Sequence, residues 1–120
     1  MADFSSHTRV EHELAPHFRE RLSHAESSED VKKFFSYTMR DLLSRVLGAE
    51  VFYEDVALDA ADPGYRVSAR LASDAGYARA VGGSDLGAIM KRFAEAARHR
   101  ARHLEGHPEK TQSKIRGRLG

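Results

Sequence analysis

The longest helical pattern in the chain begins at Val31. Val31, Phe35, Met39, Leu42 and Val46 recur at steps of four and three, flanked by Phe34 and Leu43. That spacing marks the apolar stripe of an amphipathic helix. Ser27-Ser28-Glu29-Asp30 precedes it, a hydroxyl cap followed by acidic residues suited to the positive end of a helix dipole. Gly48 follows Leu47 as a C-cap, and Lys33, Tyr37, Arg40 and Ser44 fall on the opposite side. Upstream, Val10, Leu14, Phe18 and Leu22 are spaced by four, with Pro16 among them. Proline inside a helix costs about 3 kcal/mol but is tolerated in the first turn. The pattern therefore predicts a helix from near Ala15 to about Ala25, after an extended or frayed arm over 1–13. Val10, His12 and Leu14 also alternate, which leaves a short strand there as the other reading.

Past Ala49 the period changes to two. Residues 51–58 read as one strand, ending before the turn signal Ala61-Asp62-Pro63-Gly64. Tyr65, Val67, Ala69 and Leu71 then alternate with Arg66, Ser68 and Arg70, which reads as a second strand. After Ser73-Asp74-Ala75-Gly76, the run Tyr77-Ala78-Arg79-Ala80-Val81 reads as a third. Gly82-Gly83-Ser84-Asp85 serves as turn and N-cap for a last helix whose stripe is Leu86, Met90, Phe93, Ala97 and Leu104. Gly106 and Pro108 end it. The expected fold is α+β, in the order helix-helix-strand-strand-strand-helix. A three-stranded antiparallel meander carries the helices on one face, residues 14–106 forming the domain and 107–120 a mobile basic tail.

Composition narrows the classes. The chain has 120 residues, 41% hydrophobic and 31% charged, enough for one core without a staple. It holds no Cys, which removes disulfides, thiolate zinc sites and thiol nucleophiles. No leader-like segment or long apolar run is visible, so a cytoplasmic location without membrane contact is expected.

The net charge of +1 conceals a division. Residues 1–90 hold ten Lys and Arg against fifteen Asp and Glu, whereas residues 91–120 hold nine against three. A basic end on a near-neutral chain points to an anionic partner. On the last helix Lys91, Arg98 and Arg102 fall in one narrow angular band, away from the apolar stripe. Such a row can track phosphates. The outward face of the expected sheet adds Arg66, Arg70 and Arg79, interleaved with Tyr77, a pattern able to stack on bases and pair phosphates.

Other chemistry is thinly supported. Glu95, His99 and His103 repeat every four residues on one helix edge, but neither Cys nor an H-E-x-x-H pattern completes a metal site. No G-x-S-x-G elbow exists, and nothing forces Asp55 and Asp59 into separate acid and base roles. The expectation is thus a module without catalytic residues, metal or cofactor that binds RNA or another polyanion. The alternative is a protein-interaction domain or a homodimer through the sheet edge or the first helix, since an open sheet edge needs a cover.

From about Ala49 to Leu104 the expected order resembles that of double-stranded-RNA-binding domains. Where that family carries a basic pair at the start of its last helix, this chain has Ser84-Asp85-Leu86-Gly87. The same stretch is similar in layout to ribosome-hibernation factors, whose sheet and last helix face ribosomal RNA. Here the helix from Asp30 to Leu47 is extra, and the first strand would have to fall at Arg9–Leu14. Both resemblances imply topology alone.

Overall fold

The computed structural model describes residues 6–106, so the expected basic tail 107–120 lies outside the described residues. The fold is mostly helical, with a small two-stranded antiparallel sheet. Three long helices, α1 (Thr8–His24), α2 (Ser28–Leu47) and α5 (Leu86–Gly106), surround one hydrophobic core. Strands β1 (Val56–Leu58) and β2 (Tyr65–Val67) and the short helices α3 (Ala69–Ala72) and α4 (Ala75–Gly83) lie between α2 and α5 in sequence.

Helix α2 forms as its stripe predicts. Val31, Phe35, Met39, Leu42 and Leu43 are buried, with Val46 packed at the margin. The Asp30 amide donates to Ser27 Oγ at 3.2 Å, while the Glu26 amide donates to the Asp30 carboxylate at 3.0 Å. Gly48 closes the helix with φ 64°, a left-handed conformation that glycine adopts without a steric penalty. Helix α5 buries all five residues of its expected stripe, and Ile89 and Ala94 besides. Phe18 of α1 meets Phe93 of α5 edge-to-face, with centroids 5.2 Å apart.

Helix α1 starts seven residues earlier than expected and keeps Pro16 in its interior. Its beginning is held from a distance. Asp85 accepts from the His7 amide at 2.8 Å, from Ser6 Oγ at 3.0 Å and from Thr8 Oγ1 at 3.3 Å. Arg92 forks onto Glu11 at 2.8 and 2.9 Å. At the other end Arg100 donates to the carbonyls of Leu22 and Ala25 at 2.9 and 3.1 Å. These contacts, with burial of Phe18 and Leu22, offset the proline's cost.

The three-stranded meander does not form. Strands β1 and β2 form a two-stranded sheet, in the register Val56–Val67, Ala57–Arg66 and Leu58–Tyr65. The expected third strand is helix α4, because Asp74 accepts from the Tyr77 amide at 2.9 Å and caps an alanine-rich segment. The second strand stops at Ser68, whose Oγ accepts from the Leu71 amide at 3.1 Å and starts α3. The first is shortened by a 3-10 turn at Tyr53–Asp55, where the Asp55 carboxylate accepts from the Phe52 amide at 2.8 Å. The hairpin packs on α2, with Ser36 Oγ donating to the Val56 carbonyl at 2.8 Å. Among the described residues no helix is long and apolar enough to cross a membrane.

Candidate functional site

The hairpin loop places Gly64 against α5. The loop turns through a cis Asp62–Pro63 bond, then Gly64 at φ 103°. It closes with the Gly64 amide on the Ala61 carbonyl at 2.7 Å and the Asp59 amide on the Gly64 carbonyl at 2.9 Å. A methyl group on Gly64 would come within 3.0 Å of Ala94 Cβ and 3.3 Å of Arg98 Nη1. The Arg98 side chain therefore lies along the loop backbone.

Beside this contact a groove of about 490 Å³ opens between three elements. Lys32 enters from the first turns of α2, Arg66 from the middle of β2, and Arg98 and Arg102 from α5. Leu58, Ala60 and Ala101 supply apolar surface, and Asp59 and Glu105 are the two carboxylates. Arg66 Nε stands 3.4 Å from Asp59 Oδ2, and Lys32 Nζ 3.6 Å from Glu29 Oε2. Arg98 and Arg102 make no ion pair among the described residues. Four cations and two carboxylates thus line one groove.

Three of the six cations singled out from sequence, Arg66, Arg98 and Arg102, thus share one groove, and three lie apart from it. Lys91 is drawn to Asp62 of the hairpin loop, Nζ to Oδ1 3.6 Å. Arg70 belongs to a structural knot around Asp55, a residue only 4% exposed. It donates to that carboxylate, which also accepts from Ser68 Oγ at 2.7 Å and from the Phe52 amide. Burial pushes the Asp55 carboxyl up, but the bonds from Arg70, Ser68 and Phe52 outweigh it and hold the group below its ordinary value. Arg79 is exposed on α4, with its neighbour Tyr77 buried rather than on an outer face. Among the described residues no cluster of three or more His, Cys, Asp or Glu that could hold a metal ion occurs, so Glu95, His99 and His103 do not converge on one.

Two features escaped the sequence. Lys32 lies on α2, remote in sequence from the basic end, and only the packing of β1 against that helix brings it to the groove. The other is an exposed ring surface. Phe52 is 45% and Tyr53 49% exposed, with the Arg70 guanidinium 4.9 Å over the Phe52 ring. Tyr37 meets Tyr53 edge-to-face at 5.6 Å, and Arg40 lies 5.2 Å over Tyr37. The adjacent pair Phe52-Tyr53 was the visible signal, since no strand can turn both rings to one buried face.

Comparison of the chain with protein-family models, with curated proteins and with solved structures finds no match.

Proposed function

We propose that the chain is a non-enzymatic module that binds RNA or a similar polyanion in the groove between β2, α2 and α5. The observation that carries this reading is the convergence of Lys32, Arg66, Arg98 and Arg102 from three separate elements on one concave surface. Four cations against two lining carboxylates leave the groove net positive, and an incoming phosphate gains from that potential. A cytoplasmic location goes with this reading. The test is affinity for mixed-sequence RNA across a salt series. Four neutralised phosphates on a single strand predict a log–log slope of roughly −3, reduced by about half in an Arg98→Ala, Arg102→Ala double variant. Absence of binding at low salt would sink the proposal.

A second reading, self-association, is favoured by the ring surface at Phe52 and Tyr53, two large exposed hydrophobics side by side. It replaces pairing through a meander edge, because each strand here is three residues long. Light scattering decides it: a mass near twice that of one chain, falling to the monomer value in Phe52→Ser, supports the reading, and a monomer at every concentration rejects it.

A further inference from the structure

We infer that the groove recognises a linear chain of phosphates by charge alone, blind to base and sugar, so that inorganic polyphosphate binds as RNA does. The inference rests on the polyanion reading above and concerns what that site can distinguish.

Reading a base requires particular side chains. Single-stranded bases are recognised by stacking on aromatic rings and by hydrogen bonds to their edges. No aromatic residue is among those lining the groove, and Phe52 and Tyr53 are not part of its walls. Amide side chains, the bidentate partners of adenine, are missing from the chain apart from Gln112; it contains no Asn. The remaining polar side chains of the groove are the two carboxylates, of which Asp59 faces Arg66 and accepts from the Ala60 amide at 2.8 Å.

The cations are also placed for a chain rather than a point charge. Arg98 and Arg102 project from one face of α5, one turn and about 6 Å apart along its axis. Lys32 and Arg66 come from the elements across from them. Asp59 and Glu105 offset half of the four positive charges, so a lone phosphate gains little net attraction at any single point. A tethered run of phosphates engages successive cations as intramolecular events and gains by effective concentration. The apolar surface of Leu58 and Ala101 offers a sugar or base no hydrogen bond to discriminate.

Displacement of a fluorescent mixed-sequence RNA strand tests this. Competitors are unlabelled RNA, single-stranded DNA, inorganic polyphosphate and inorganic phosphate, matched in total phosphate. The expected result is displacement by the first three within about 3-fold of one another, and none by inorganic phosphate. RNA that binds but resists polyphosphate overturns the inference and leaves the polyanion reading standing. Displacement by inorganic phosphate as strong as by polyphosphate also overturns it, since the site would then hold a point anion. RNA that fails to bind at low salt overturns both. Arg98→Ala with Arg102→Ala, and separately Lys32→Ala with Arg66→Ala, should lower affinity for RNA and polyphosphate by the same factor. A variant that weakens RNA alone contradicts the claim.

Discussion

Gly64 and Arg98 are mutually positioned: the guanidinium Nη1 lies 3.3 Å from the point where a side chain on residue 64 would begin. The glycine is required twice, by its φ of 103° and by the approach of Ala94 Cβ to 3.0 Å. Gly64→Ala should therefore cost about 2–3 kcal/mol, combining the strain of that backbone region with forced movement at α5. It should also weaken polyanion binding without changing any charge, by displacing Arg98 from its seat along the loop. Urea unfolding and RNA titration check the two effects. Wild-type stability in this variant would show that the loop can slide away from α5.

Arg100 has a different use of its charge. Its guanidinium donates to three carbonyls at the end of α1, those of Leu22, Ser23 and Ala25, where the helix leaves acceptors without intrahelical partners. A cation there also complements the negative end of the helix dipole. Arg100→Ala should lower stability by about 2 kcal/mol and leave the slope of binding against salt unaltered. Amide exchange should accelerate first near Leu22. A reduced salt slope would instead mean that Arg100 contacts the ligand.

What the chain's pattern conveys follows from how far its determinants reach. Helices α2 and α5 are legible because stripe and ends are local: Ser27 and Gly48 bracket the first within its own sequence. The start of α1 is not, because its cap, Asp85, is 78 positions from His7. Tyr77-Ala78-Arg79-Ala80-Val81 is too short to separate a period of two from one of 3.6, and the decisive signal was Asp74 as a cap rather than a turn residue. The site divides in the same way. Arg98 and Arg102 could be placed on one face from helical spacing, but their meeting with Arg66 and Lys32 depends on the hairpin's docking. Arg92 and Arg100, which look like part of a basic surface, are engaged with Glu11 and with the end of α1.

Acid should detach α1 early. A hydrogen bond from Arg92, against the effect of burial, holds the Glu11 carboxyl below its ordinary value. Burial pushes Asp85 up, but bonds from the His7 amide, Ser6 and Thr8 outweigh it and bring that carboxyl down as well. A carboxyl with a depressed folded value binds fewer protons folded than unfolded, so its contribution is complete above the ordinary value near 4 and is lost as pH falls through the folded one. The urea midpoint should drop as pH falls below about 5, and drop less in Asp85→Asn, which lacks that titration. An equal drop in both proteins would remove Asp85 from the account.

Alkali acts through the tyrosines. Burial, with the neighbouring Tyr65 second, pushes the Tyr77 phenol up to about 12, and burial raises Tyr65 too. Unfolded phenols ionise near 10, so above that pH the unfolded chain releases a proton that the native one keeps. Stability is complete below about pH 10 and falls as pH rises through the folded values. Phenolate absorbance should show Tyr77 ionising only together with loss of helical signal. Tyr77→Phe should make the alkaline decline shallower. Full ionisation of all tyrosines with the helices intact would contradict the burial of this ring.

Comparison of cations inside and outside the groove gives the sharpest separation of site from surface. Arg79→Ala removes an exposed charge from α4, and Lys91→Ala one already facing Asp62. Neither should change RNA affinity by more than about 2-fold, since unspecific surface charge acts only through a field screened beyond roughly 10 Å. Arg70→Ala should lower stability, because it leaves the buried Asp55 carboxylate without its cation, while binding in the folded fraction stays near wild type. Arg98→Ala with Arg102→Ala should do the reverse, keeping stability within about 1 kcal/mol and lowering affinity at least 10-fold at low salt. Four proteins measured by urea unfolding and RNA titration resolve the pattern. If all four lose affinity in proportion to charge removed, the chain binds by net charge and the groove has no privileged role.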